Sequence, residues 1–315
     1  MDLLALPFFE RLASARSVLV AGAGGGYDVF AGLPVYFALR KRGVGVHLAN
    51  LSFSHLAVVT ARRPAPSVVE VLPDAHGPVG YFPERSLAAW LDGRGEPARV
   101  FAFEKSGVVQ LRAAYAALVR ELALDAIVLV DGGTDSLLRG DEAGLGTPAE
   151  DMASIAAVDA LEVPTKLLAS IGFGVDAFHG VCHAHVLESI AALARDGGYL
   201  GAFSLLPQMP EFALYKSAVE AAHEASRPSI VNASIVSAVE GDFGDVHRTE
   251  RTRGSELFIN PLMAMYFTFE LAAVARRVPY LRLLAGTQSV FEISAIIEAH
   301  QRACGELRAW TALPM

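Results

Sequence analysis

The sequence predicts an α/β protein: a Rossmann-like, doubly wound and mostly parallel sheet with helices on both faces. Two stretches carry that expectation. Residues 17–50, SVLVAGAGGGYDVFAGLPVYFALRKRGVGVHLAN, pass from an apolar strand-type run through a crowded glycine loop into helix formers, then Gly43 and a second apolar run. That is the order of a βαβ entry. Residues 126–130, AIVLV, are apolar without alternation and stop abruptly at Asp131-Gly132-Gly133. Such a run marks a strand buried on both faces of a parallel sheet. Strand-like and helix-like stretches alternate through the rest of the chain, as an α/β architecture requires.

Taken in order, residues 2–14 read as a short amphipathic helix ahead of a strand at 18–20. The first helix of the βαβ unit is expected over 29–42 and the next strand over 44–48. Further strands are expected at 67–72 and 100–103, with a helical turn at 85–91. Residues 107–122 have the apolar period of a long helix. Thr147-Pro148-Ala149-Glu150 predicts a helix start, with an N-cap threonine, proline in the first position and glutamate in the capping-box position. Strands follow at 166–171 and 199–203, and helices at 185–195 and 212–225. Residues 229–239 read as a strand, 241–254 as a polar loop and 263–277 as a helix. Ser289-Val290-Phe291-Glu292 is a second capping box, opening a helix to about residue 307. No linker or repeat divides the chain, so one domain over 1–315 is expected, a C-terminal subdomain from about 241 being the alternative.

Composition narrows the function. With 53% hydrophobic and 19% charged residues, the chain can bury a large core and further surface in a homo-oligomer. Its 26 basic and 34 acidic residues give a net charge of −8, the wrong sign for nucleic acid or an anionic membrane surface. Cys182 and Cys304 make no disulfide framework and suit a reducing cytoplasm. The N-terminus has no basic segment of signal-peptide type. The most membrane-like stretch, PLMAMYFTFELAAVA at 261–275, is too short to span and contains Glu270. A small-molecule partner is what remains.

In an open parallel sheet, ligands bind outside the carboxyl ends of the strands. Three polar loops leave predicted strand ends. The first carries Gly22, Gly24, Gly25 and Gly26, followed by Asp28. It could bring backbone N–H groups and a helix N-terminus to a phosphate or carboxylate. An NAD(P) fingerprint fits it poorly, because Tyr27 stands where the last glycine belongs and Asn50 where an acid would hold the ribose. The second loop holds Asp131, Asp135, Asp141 and Glu142 with Arg139 among them. Asp131, Asp135 and Asp141 would be the ligands if Mg²⁺ takes part. They could equally grip substrate hydroxyls, or supply a general base. The third loop, GFGVDAFHGVCHAHVLE, holds Asp176, His179, Cys182, His183 and His185. His179 or His183 would be the proton carrier. A zinc site built from this loop alone is strained, and Cys182 reads as a small core residue. Arg251, in the basic stretch HRTERTRGSELFINP, could fork onto a phosphate, or pair with Glu250 and Glu256 on a solvated loop. No G-x-S-x-G, HExxH, CxxC or kinase motif is present.

The strings GAGGGYDVFAGLP, DGGTDSLLRGDEAGLGTPAED, GFGVD and LFINPL resemble the family catalogued as domain of unknown function 1152. The resemblance implies a Rossmann-like domain and supplies no activity. The residues themselves lead to an enzyme acting on a small, phosphorylated or nucleotide-like substrate. Asp131, Asp135, His179 and His183 would be catalytic; Gly22, Gly24, Gly25, Gly26, Asp28, Arg139, Asp141 and Arg251 would bind ligand. An NAD(P)-dependent oxidoreductase and a non-catalytic ligand-binding protein are the alternatives.

Overall fold

The structure, a computed structural model, describes residues 5–254 and 257–313. Its strands in chain order are β1 (Ser17–Gly22), β2 (Gly45–Leu51), β3 (Val68–Val71), β4 (Val100–Phe103), β5 (Ala126–Asp131), β6 (Thr165–Ser170), β7 (Tyr199–Ser204), β8 (Gly244–Asp245), β9 (Phe258–Ile259) and β10 (Met265–Glu270). Eight of them form one sheet in the order β3-β4-β2-β1-β5-β6-β10-β7, and β8 pairs only with β9. The sheet is mostly parallel: β1 lies between β2 and β5, β4 joins β2, and β6 joins β5, all in parallel. β3 runs antiparallel on β4, and β10 antiparallel between β6 and β7.

The helices are α1 (Pro7–Arg11), α2 (Asp28–Ala31), α3 (Leu33–Lys41), α4 (Pro83–Asp92), α5 (Val108–Glu121), α6 (Pro148–Asp159), α7 (His183–Arg195), α8 (Pro210–Ala225), α9 (Ile230–Val239), α10 (Leu271–Arg277) and α11 (Val290–Cys304). Alternate strand residues point to opposite faces, so the central strands feed two cores. Leu19, Ile127 and Leu129 pack with α5 and α6 residues such as Leu111, Tyr115 and Met152. Val18, Val20 and Val128 pack with α3 and α8 residues such as Tyr36, Phe212 and Tyr215. A strand with apolar side chains demanded on both faces is what the unbroken AIVLV run encodes.

Three expected elements differ. The helix expected over 29–42 is two helices, α2 and α3, meeting at Gly32. Pro34 has no N–H to give the carbonyl of Phe30, so one continuous helix cannot form there. Residues 229–239 form a helix, α9, and not a strand. Ser229 caps it, its Oγ accepting the Asn232 N–H at 3.2 Å. Every residue of α9 from Asn232 to Val239 is buried, so the sequence shows β-branched bulk and no amphipathic period. Residues 263–277 divide into β10 and α10. The stretch Tyr266-Phe267-Thr268-Phe269 is buried between β6 and β7, where aromatic and β-branched side chains suit a pleated surface.

The two capping boxes part ways. At α11, Ser289 Oγ accepts the Glu292 N–H at 3.3 Å and Glu292 Oε2 accepts the Gln288 N–H at 2.9 Å. At α6, Thr147 makes no side-chain cap; its N–H and hydroxyl both donate to Asp135, and Glu150 pairs with Lys105. Of the expected N-terminal helix, Pro7–Arg11 is formed, and residues 2–4 lie outside the described residues. No helix among the described residues is long and apolar enough to cross a membrane.

Candidate functional site

From β1 the chain builds outward through β2 to β4, then crosses back through α5 to β5 on the other side of β1. The reversal opens a crevice between the carboxyl ends of β1 and β5, the place where open α/β sheets bind ligands. Gly22 and Val130 are paired there, and the Ala23 N–H continues the ladder onto the Val130 carbonyl at 2.8 Å. Above that point lies a cavity of about 640 Å³. Loops from β1, β5 and β6 all reach it, together with the first turns of α6 and α9.

Five carboxylates line this cavity: Asp28, Asp131, Asp135, Asp151 and Asp176. Asp131, Asp135 and Asp151 are buried; Asp28 and Asp176 are partly open to it. Each but Asp151 is held by a named donor. Asp28 Oδ2 accepts the Gly24 N–H at 2.7 Å. Asp131 Oδ2 accepts from the Ser136 hydroxyl, which also meets Ser170 Oγ at 3.2 Å. Asp135 Oδ2 accepts the Thr147 N–H at 2.8 Å, and Asp176 Oδ2 the Thr134 N–H at 2.8 Å. Asp151 Oδ1 is buried with no partner.

Burial and mutual repulsion act in the same direction on these groups. Burial first, then the Asp135 charge, pushes Asp28 up to about 8. Burial and the surrounding carboxylates hold Asp131, Asp151 and Asp176 well above the usual carboxylate range. Asp135 is raised by burial against the opposing pull of its Thr147 hydrogen bonds and of His179. Among the described residues, none of these five carboxylates is ion-paired with a lysine or arginine, although Arg227 and Arg251 line the same cavity. The nearby Lys105 is spent on Glu150 and lies 5.1 Å over the Phe53 ring.

Carboxylate oxygens of Asp28, Asp131 and Asp151 lie within 4.8 Å of one another. Oxygens bound to one ion at about 2.0–2.6 Å can be no more than roughly 4–5 Å apart, so these three fit one hard cation. No cysteine or histidine belongs to any such group among the described residues.

The residues expected at the site divide. Gly24, Gly25, Gly26, Asp28, Asp131, Asp135, His179 and Arg251 line the cavity. Gly25 and Gly26 take φ of +98° and +63°, the left-handed backbone that lets the loop fold back on itself. The Gly24 amide of that loop is already engaged by the Asp28 carboxyl. Gly22 is buried in β1 against the Asn50 side chain and does not line the cavity. Asp141 is not with Asp131 and Asp135; Arg308 takes its carboxylate at 2.8 Å, and Arg139 reaches it at 3.5 Å. The expected Asp131–Asp135–Asp141 metal set is therefore not assembled, and Arg139 is turned to Asp141 as well. His183 packs between the rings of Phe173 and Trp310, with centroids at 5.4 and 5.5 Å, outside the cavity lining. His185 is buried and Cys182 meets the Thr311 backbone, so neither joins the site. Of the basic stretch, Arg248 pairs with Glu240 and Asp242 and Arg253 with Glu250, while Glu256 lies outside the described residues.

Sequence reasoning passed over Asp151, Thr147, Phe53, Tyr81 and Arg227, all of which line the cavity. Asp151 had a readable signal. It stands in the first turn of a helix that starts from the same sheet edge as Asp131, and such a side chain faces back toward the loops. Asn50 shows why the dinucleotide fingerprint fails. Its side chain is buried between the Gly26 carbonyl at 2.9 Å, Glu84 Oε1 at 2.7 Å and the Val29 N–H at 3.3 Å, with nothing left for a ribose.

No curated protein matches the chain. The family model described as protein of unknown function (DUF1152) matches residues 88–309, which takes in Asp131, Asp135, Asp151 and Asp176 and leaves out the glycine loop. The chain belongs to that family.

Proposed function

We propose that the protein is an enzyme acting on a small phosphorylated or nucleotide-like substrate, held at the switch point of a Rossmann-like, doubly wound sheet. One observation carries this reading. Segments that follow three separate strands bring five carboxylates around one open cavity at the expense of fold stability, since buried, mutually repelling acids are costly. Arg227, Arg251 and the Ser229 end of α9 border the same cavity and would receive the anionic part of the substrate. Phe53 and Tyr81 form an aromatic wall suited to a flat ring. Asp135 and His179 would move a proton, in hydrolysis, elimination or transfer; both line the cavity.

The test is turnover of a panel of phosphate esters and nucleotides by the full chain, with Asp135→Asn alongside. Turnover that Asp135→Asn lowers by about 100-fold or more supports the reading. Saturable ligand binding without turnover would make the protein a sensor. No turnover and no binding across the panel would sink both. The NAD(P) oxidoreductase alternative is answered in the same assay by NADH fluorescence. The commitment of Asn50 to Gly26, Val29 and Glu84 favours no binding.

A further inference from the structure

We propose that Asp28, Asp131 and Asp151 bind one divalent cation of the Mg²⁺, Mn²⁺ or Ca²⁺ kind, on which the substrate's anionic group would rest. The inference rests on the reading of this cavity as the site of chemistry, but it stands on observations of its own.

The three carboxylates come from three elements, the start of α2, the end of β5 and the first turn of α6. Their oxygens lie within 4.8 Å of one another. Asp151 is 1% exposed and its Oδ1 has no hydrogen-bond partner. A buried carboxylate oxygen left bare costs free energy that neither solvent nor a neighbouring donor returns here. It faces the cavity beside Asp28 and Asp131, where a cation would satisfy it.

Space for the ion is kept open. A Cβ on Gly24 would stand 2.8 Å from both oxygens of Asp151 and 3.0 Å from Asp28 Oδ2. A Cβ on Gly132 would stand 2.8 Å from Asp28 Oδ1. Outer donors also orient the ligand carboxylates. The Gly24 amide and the Ser136 hydroxyl each engage one oxygen, Oδ2, of Asp28 and Asp131. Holding ligands by such outer contacts is how metal sites fix geometry.

An all-carboxylate set selects a hard cation over zinc or copper. The ion would also solve an electrostatic difficulty. Carboxylates repel a phosphate brought among them; a cation held there would let a phosphate oxygen rest on it instead, with Arg227 and Arg251 on the same wall.

The experiment uses the full chain, freed of metal with a chelator and without substrate. Mg²⁺ and Ca²⁺ are titrated by calorimetry, and Mn²⁺ by its electron paramagnetic resonance signal. One site per chain is expected. Asp151→Asn should weaken binding at least tenfold, and Glu298→Gln, on the exposed face of α11, should leave it unchanged. Gly24→Ala provides a second variant should Asp151→Asn fail to fold by circular dichroism. No saturable binding of any of the three ions by the wild-type chain, or wild-type affinity in both folded variants, overturns the inference. Cation binding with no turnover of any substrate would leave the site standing and remove the enzyme reading. Turnover unaffected by chelator would do the reverse.

Discussion

Gly24 and Asp151 are close enough that a Cβ on the glycine would lie 2.8 Å from both oxygens of the carboxylate. Gly24 does not have a left-handed φ, so its backbone does not itself bar an alanine, and the nearest atoms in conflict are carboxylate oxygens. Gly24→Ala should therefore fold and displace Asp151 and Asp28 by a fraction of an ångström or more. Activity should fall by about 100-fold, the usual result of misplacing reacting groups by about 1 Å. Steady-state kinetics beside a thermal melt checks it. An unchanged rate would mean that this contact can relax without consequence.

A pH dependence of stability follows from Glu84. It is fully buried, accepts from Asn50 Nδ2 at 2.7 Å and leaves Oε2 without a partner. Burial pushes its carboxyl from 4.5 up to about 7. Between those values the folded protein keeps a proton that the unfolded chain has released. Stability therefore falls as pH rises through about 4.5 to 7 and is level on either side, a difference on the order of 3 kcal/mol. Asp28, raised from 3.8 to about 8, adds a loss of the same sign over its own window. Glu84→Gln should be the more stable protein at pH 7 and show a shallower slope, with the Asp28 part remaining. Urea denaturation at several pH values, in chelator, measures this. A stability that rises over that window would refute it.

Much of this arrangement is legible in the chain. The AIVLV run and the glycine loop place β1 and β5, and their carboxyl ends place Asp28 and Asp131 at one edge. Local signals fail where a tertiary partner outbids them. Thr147 has the spacing of a capping residue, yet Asp135 takes both its donors. The stretch at 229–239 has strand composition, yet burial on every side and a serine cap make it α9. Asp141 lies as near in sequence to Asp131 as a metal ligand needs, but Arg308, 167 residues away, holds it elsewhere. No sequence window contains that pairing.

The two histidines of the third loop should separate in a mutational test. His179 lines the cavity and its charge acts on Asp135. His183 lies between Phe173 and Trp310, where burial pushes its imidazole down from its ordinary value. His179→Ala should lower turnover by about 10²-fold or more with little change in melting. His183→Ala should do the opposite, leaving turnover near wild type and costing about 1–2 kcal/mol of packing. Equal kinetic losses from both would show that the third loop acts as a unit.

Arg308 supports the cavity from behind. Its guanidinium reaches Asp141 and Glu142 at 2.8 Å and also pairs with Glu188. Its backbone donates to the Asp141 carbonyl at 2.9 Å and accepts from Ala143 at 2.9 Å, which lays the C-terminal segment along the loop that follows β5. Glu142 is 0% exposed, so losing the arginine leaves a buried carboxylate with only the Arg139 and Gly140 amides. Arg308→Met should destabilise the fold by about 3 kcal/mol, because a broken buried pair costs more than the pair itself contributed. The loop from Asp141 onward leads to Thr147, whose donors fix Asp135, so protease should cleave this loop faster in the variant. The side-chain partners of Arg308 are Asp141, Glu142 and Glu188, and not Asp28, Asp131 or Asp151, so cation affinity should be unchanged. A variant with wild-type stability would mean that the two backbone hydrogen bonds hold the strap without the side chain.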